Sequence, residues 1–479
     1  MLEFKASQLA AWTGGRWTRS PEGALSGFNQ DTRTLSAGQV FVALKTDRRD
    51  GHDFLGEAQG RGAVAALVGR EVAGSNLPQL VVKDPLAAFQ VIAREHRRGF
   101  GGKVVGITGS VGKTSTKDLM ALLLGGAVVA GVADPGPASP RPATAEAGQH
   151  VLKTEGNLNN HIGVPLTLTR LDPAIHKFAV IEAGIGGPGE MSPLTAMIQP
   201  DHAIVTLVGA AHLEGLGSLD GVAREKSALL TAVRPGGCQV FPVSCWQYQP
   251  FRELANPLVL VPANEKMVPV TGRTVTFTVL HRPERTEVTL DQRRPFILRR
   301  VSNGMAQNAA LALALGSELG VADAALQERL SRWTPTKWRG ELQRHGGADV
   351  YCDFYNANPA SMADAIAAFD GLAPADQPRL LVLGGMEELG AHAADFHRQL
   401  GRSILLRPGD FLFVIGDHAA ALRDGLLENG NDPSQISVIA DLAPVRERLA
   451  GFRGAVFLKG SRRYRLETVL AQSSPSHVS

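Results

Sequence analysis

The stretch Lys103-Val-Val-Gly-Ile-Thr-Gly-Ser-Val-Gly-Lys-Thr114 decides how this chain is read. Val104 to Ile107 is a short apolar run of the kind that fills a buried strand, and a helix is predicted from about Lys113. A glycine-rich turn between strand and helix presents backbone N–H groups to phosphate oxygens, and the helix N-terminus adds positive potential. Thr108, Gly109, Ser110, Val111, Gly112, Lys113, Thr114 and Ser115 are therefore candidate phosphate-binding residues. Lys113 would reach the terminal phosphates of ATP, and the Thr114 hydroxyl would ligate Mg2+. The strict pattern has glycine at 107, where this chain has Ile107, so the loop is a variant.

Outward from this loop, short apolar runs alternate with amphipathic ones, which argues for α/β units with parallel strands. Strands are predicted at 178–181 and 202–206, and an Ala-rich helix at 309–319 closes this region. Before the loop lie strand-like runs at 40–44, 63–68 and 80–83. After it come runs at 380–383, 411–415 and 455–458, with a helix before each of the last two. The expectation is an α/β chain of three domains. A small α/β domain spans 1–98, a central P-loop ATPase-type parallel sheet 99–320, and a smaller Rossmann-like, doubly wound domain 321–479. The length of 479 residues agrees, at roughly 150 per domain. The Pro/Ala/Gly-rich stretch 125–148 reads as a mobile surface loop.

Hydrophobic residues at 44% and charged residues at 20% exclude disorder, coiled coil and collagen-like arrays. Lys plus Arg (49) against Asp plus Glu (46) leaves +3, which indicates neither a nucleic-acid nor a membrane-surface partner. No secretory leader and no run of about 18 apolar residues are visible, so a cytoplasmic protein without membrane insertion is expected. Cys238, Cys245 and Cys352 form neither CxxC nor a disulfide framework.

A phosphate loop alone names no reaction. Glu182 closes the strand beginning at Phe178, where Walker-B-type carboxylates sit, and His212 follows the next strand. Singly, each is more often a solvated or structural residue. Together, beside a phosphate loop, they are candidate Mg2+ ligands. Lys226 lies on a predicted helix, and composition alone makes it a solvated lysine.

With these segments in hand, the chain resembles the Mur ligases, over nearly its whole length. Asp31-Thr-Arg33, Phe41-Val-Ala-Leu-Lys45 and Asp50-Gly-His-Asp-Phe54 are similar to the family's domain for the UDP end of the precursor. The phosphate loop, Thr154-Glu-Gly-Asn-Leu-Asn-Asn160 with Ile162-Gly-Val-Pro-Leu166, and the Glu182 and His212 segments match the middle domain. Tyr355-Asn-Ala-Asn-Pro359 with Ser361 resembles the branch that adds a D-alanyl-D-alanine dipeptide. Met386, Glu388-Leu-Gly390, His397 and Lys459-Gly-Ser-Arg462 extend the match.

The resemblance implies an ATP-dependent acid–amino-acid ligase acting as a monomer on UDP-MurNAc-tripeptide and D-Ala-D-Ala through an acyl phosphate. It implies catalytic roles for Lys113, Glu182, His212 and Lys226, with a carbamylated Lys226 joining Thr114, Glu182 and His212 around Mg2+. By the same analogy Asn308 lies near the adenine and Asp353 near the ribose. Asp31, Thr32, Arg33, Lys45, Asn157, Asn159, Asn160, Tyr355, Asn356 and Asn358 would meet substrate, the last two the dipeptide. Several positions depart from the family pattern. Met305 replaces an Asn and Gly385 a common Asp, while Cys352 and Phe354 flank Asp353 in place of polar residues. His161 and Ala183 also differ, and Arg339 precedes Gly340 where a Gly-Arg pair is expected. A sister ligase with another amine, folylpolyglutamate synthase, and a non-catalytic binder of ATP or UDP-sugar are the alternatives. The first should lack the Tyr355 segment and the second the UDP-type first region.

Overall fold

The computed structural model describes residues 2–126, 150–265 and 269–471. The loop expected at 125–148 lies, beyond residue 126, outside them. Three sheets organise the chain. In the first domain the spatial order is Arg16–Trp17, Gln79–Val81, Ala65–Val68, Gln39–Val42 and Gly27–Asn29, antiparallel only at the first pair. The helix Pro85–Arg98 covers this sheet through Phe89 and Ile92, and Asp84 caps it by accepting from the N–H groups of Leu86 and Ala87.

Its last turn carries Arg97, which is fully buried. The guanidinium donates to the carbonyls of Ile198 (3.0 Å) and Gln199 (2.8 Å) and to Asp201 Oδ2 (2.8 Å). A charge taken out of water needs such complete pairing; these three partners belong to the middle domain, and the Phe100 carbonyl accepts a fourth bond at 3.3 Å. Arg97 thus pins the first domain to the second.

The middle sheet has nine strands. The order is Phe296–Arg299, Arg285–Leu290, Arg273–His281, Pro257–Pro262, Gln239–Pro242, His202–Val205, Lys103–Thr108, Phe178–Glu182 and Val151–Lys153. Seven run parallel, as expected; the two beyond Arg273–His281 are antiparallel, which was not. The letters Thr274-Val-Thr-Phe-Thr-Val279 alternate as a half-solvated strand does, and half-solvated strands are free to pair antiparallel. Val104, Ala203 and Val205 point into one apolar core, with Leu229 and Leu230 of helix Leu219–Thr231. Val105, Ile107 and Ile204 point into the other, with helices Lys113–Leu123 and Asn303–Glu318. Alternation between two buried faces defines a doubly wound sheet.

The sequence places a boundary after residue 320. The helix Asp323–Ser331 packs on helix Lys113–Leu123 and on the edge strand Phe296–Arg299. Leu326, Leu330 and Trp333 share a core with Ile107, and Arg329 donates to the carbonyl of Leu123 at 2.5 Å. Gly320 punctuates the sequence like a domain end, but the next helix fits its apolar side onto the middle domain.

The third sheet is ordered Glu341–His345, Gly347–Asp353, Arg453–Lys459, Arg379–Gly384, Phe411–Ile415 and Ile436–Ile439, antiparallel only at its first pair. Among the described residues no helix is long and apolar enough to cross a membrane.

The C-terminal ends of the second and third sheets face each other. Asn358, just past strand Gly347–Asp353, donates to the carbonyl of Ser110, just past strand Lys103–Thr108 (3.3 Å). Asp364 of the third domain accepts from Gly304 N at 2.9 Å, and Glu388 O accepts from Glu214 N at 3.2 Å. Ligand sites in open α/β sheets form outside the carboxyl ends of strands, so this cleft is the candidate site.

Candidate active site

The phosphate loop turns as its glycines require. Gly109 has φ 150° and Gly112 φ 79°. A Cβ at Gly109 would stand 1.9 Å from Thr206 Oγ1, and one at Gly112 would stand 2.1 Å from Asn308 Nδ2. Both glycines are thus demanded by space as well as by backbone conformation. Asn308, expected near an adenine, is buried with its amide pressed on the loop at Gly112.

Lys113 begins the helix and donates to the Gly109 carbonyl at 2.8 Å. Burial lowers its pKa and the charge of Arg339 adds to that, while Glu182 and Glu388 oppose it. Thr114 donates to Glu182 Oε1 at 3.2 Å, and Asn159 Nδ2 donates to the same oxygen at 2.8 Å. The other oxygen, Glu182 Oε2, is buried without a hydrogen-bond partner. An orphaned buried carboxylate oxygen beside a hydroxyl and a phosphate loop is a hard-oxygen site that suits Mg2+. Among the described residues no group of three or more His, Cys, Asp or Glu could hold a metal alone. Thr114 and Glu182 would supply one or two ligands, with phosphate oxygens supplying others, the usual manner of Mg2+.

Lys226 overturns its composition-based reading. It is 1% exposed on helix Leu219–Thr231, and burial, reinforced by the charge of Lys113, holds its pKa well below the ordinary lysine value. His212 follows strand His202–Val205 in a left-handed conformation (φ 56°), and its Nδ1 is in close contact with Glu388 Oε2 of the third domain. Hydrogen bonding to His212 lowers the pKa of Glu388 against its partial burial, with His212 and Lys113 helping by charge.

Other expected site residues are committed differently. Asn358 accepts from Ser361 N at 2.9 Å as the N-cap of helix Pro359–Leu372, and its Nδ2 goes to Ser110. Expected to meet a dipeptide, it is engaged at both amide atoms. Asn160 Oδ1 likewise accepts from Ile162 N and Gly163 N, while Asn157 is exposed. Asp353, expected at a ribose, accepts from the buried Lys459 Nζ at 2.6 Å, and Asn356 O accepts from the same ammonium at 3.4 Å. In the first domain Asp31 pairs with Arg33 (2.6 Å) and Thr32 donates to Glu57 (2.8 Å), with Lys45 exposed. Among the described residues these make no hydrogen bond or ion pair outside that domain.

The departures have physical occupants. The Arg339 guanidinium stacks 3.9 Å over the Tyr355 ring, and Trp338 just before it is in a left-handed conformation (φ 63°). A Cβ at Gly385 would stand 2.6 Å from Tyr464 Oη, so the tyrosine fills the volume that an aspartate would need. Cys352 is core, and Phe354 packs against Trp338 with the rings tilted by 35° at 5.3 Å. Met305 and Ala183 pack into the middle-domain cores, and the His161 carbonyl accepts from Gln90 at 3.0 Å.

Comparison with known proteins settles the family. Residues 107–260 match the Mur ligase middle domain and 338–462 the Mur ligase glutamate ligase domain. A UDP-N-acetylmuramoyl-tripeptide--D-alanyl-D-alanine ligase of Haemophilus influenzae is 30% identical over 485 residues, 98% of each chain. The chain belongs to the Mur ligase family. MurF from Acinetobacter baumannii superposes with a TM-score of 0.79 at 25% identity, covering 98% of each chain. A MurF ligase from Thermotoga maritima in complex with ADP reaches 0.71 at 25% identity, covering 93% of this chain and 96% of that one. Among Mur ligases, then, the three-domain α/β architecture expected from the sequence is the fold observed. Sequence reasoning had no means of finding Asp364, since a carboxylate capping another domain's helix leaves no local signature.

Proposed function

We propose that this chain is an ATP-dependent amide ligase joining D-alanyl-D-alanine to UDP-MurNAc-tripeptide, a cytoplasmic, monomeric enzyme of peptidoglycan precursor synthesis. The observation that carries this reading is the buried, half-satisfied Glu182 beside Thr114 and Lys113, in a chain whose near full-length relative is named for that reaction. The tripeptide carboxylate attacks the γ-phosphorus of ATP. The bond to ADP breaks, and an acyl phosphate forms. The dipeptide amine then attacks the acyl carbon, phosphate leaves with the C–O bond electrons, and the amine loses a proton.

Lys113 and the N–H groups at its helix start stabilise charge that moves onto the β–γ bridging oxygen. Thr114 and Glu182 would hold one Mg2+, and His212 with a carbamylated Lys226 the second. Bound there, Mg2+ neutralises the charge of the two polyanions and orients the γ-phosphate. Burial lowers the pKa of the Lys226 amine and so favours the neutral form, the one that adds CO2. The third domain, seated through Asn358, Asp364 and Glu388, keeps water from the acyl phosphate. Arg339 brings a further cation toward Lys113. The test is UDP-MurNAc-pentapeptide formed only when ATP, Mg2+, tripeptide precursor and D-Ala-D-Ala are all present. A different amine supporting turnover would move the chain to a sister ligase.

A further inference from the structure

One contact between the second and third domains joins two strained backbones. His212 has φ 56° and Glu388 φ 61°, the left-handed region that costs a non-glycine residue about 1–3 kcal/mol. The His212 Nδ1 meets the Glu388 carboxylate directly, and Glu388 O also accepts from Glu214 N at 3.2 Å. Gly390 (φ 59°) seats the same loop on Glu214, where a Cβ would stand 3.3 Å from the Glu214 Cα. The Glu388 side chain is 58% exposed, so solvent screens the pair and its stabilising value is small. Strain maintained at both ends of a weakly stabilising contact points to orientation rather than stability.

We propose that Glu388 is a positioning residue which, when the third domain seats, fixes the His212 imidazole with its proton on Nδ1 and its lone pair on Nε2. The chemistry is that of a carboxylate–histidine–metal relay, in which an acceptor on one ring nitrogen sets tautomer and ring angle and makes the other a better donor to a cation. Gly209, three residues before His212, exchanges hydrogen bonds of 2.9 Å with the Ser110 hydroxyl, which places the relay beside the phosphate loop. Seating of the third domain therefore completes the divalent-cation site. This inference rests on the reading of His212 as a cation ligand under the function proposed above.

The test uses the full chain with Mn2+ as probe and a non-hydrolysable ATP analogue, comparing wild type, Glu388→Gln, Glu388→Ala and His212→Ala. Glu388→Ala is expected to weaken Mn2+ binding about 10- to 100-fold with an unchanged thermal midpoint. Glu388→Gln keeps an acceptor and restores most of the affinity. Glu388→Ala adds nothing on a His212→Ala background, because both act through one ring. Nitrogen chemical shifts of His212 report the Nδ1–H tautomer in wild type and a mixture in Glu388→Ala. Wild-type Mn2+ affinity in Glu388→Ala, or independent multiplication of the two alanine effects, overturns the proposal. Because no amine enters the binding assay, failure of the D-Ala-D-Ala reaction would show separately, in the turnover assay alone.

Discussion

Replacing Asn358 by aspartate and by alanine separates two tasks of one side chain. Its Oδ1 caps helix Pro359–Leu372 through Ser361 N at 2.9 Å, and its Nδ2 holds the phosphate loop through the Ser110 carbonyl at 3.3 Å. Asn358→Asp keeps the cap, since Asp and Asn are nearly equal there. It loses the donor to Ser110, worth about 0.5–1.5 kcal/mol. It also sets a negative charge beside a phosphate-binding loop, and two like unit charges about 8 Å apart at an effective dielectric near 20 repel by about 2 kcal/mol. The sum, about 2.5–3.5 kcal/mol, corresponds to ATP binding weakened about 70- to 400-fold with little change in unfolding free energy. Asn358→Ala reverses the balance. It forfeits about 1 kcal/mol of helix capping and weakens ATP binding only about 2- to 10-fold. Titration calorimetry with a non-hydrolysable analogue and urea unfolding read both quantities. Wild-type nucleotide affinity in Asn358→Asp would refute the idea that the third domain grips the loop through this amide.

Three further outcomes are expected. Arg97→Met leaves the carbonyls of Ile198 and Gln199 and the Asp201 carboxylate without their buried partner, and should cost about 3–5 kcal/mol in urea unfolding. Gly385→Asp drives a Cβ to 2.6 Å from Tyr464 Oη and should destabilise by about 1–3 kcal/mol, a cost that Tyr464→Ala on the same chain relieves. If a neutral Lys226 takes up CO2, stripping CO2 in mildly acidic buffer should abolish dipeptide-dependent turnover, and bicarbonate should restore it in wild type but not in Lys226→Arg. Turnover indifferent to CO2 would remove the carbamate from the account.

What could be read from the letters was what local backbone chemistry determines. The phosphate loop was legible because Gly109 and Gly112 answer to the turn itself, and Glu182 because it ends its strand as written. Lys226 was not legible: its burial comes from tertiary packing of the helix that carries it, which no neighbouring letter encodes. The helix start at Asn358-Pro-Ala-Ser361 was not read from the sequence, where the segment entered only through the family resemblance. The ties from Asp364 to Gly304 and from Glu388 to His212 join residues 60 or more positions apart and emerge only when two domains meet. The antiparallel pair beyond Arg273–His281 escaped for a related reason, since alternation fixes exposure but not strand direction.

The most direct measurement of the central claim is phosphate release from ATP and Mg2+ with UDP-MurNAc-tripeptide, with and without D-Ala-D-Ala, with product mass read from the same reaction. The account predicts phosphate release that depends on the dipeptide and a product of UDP-MurNAc-pentapeptide mass. Tight ATP binding with no phosphate released, whatever amine is supplied, would contradict it.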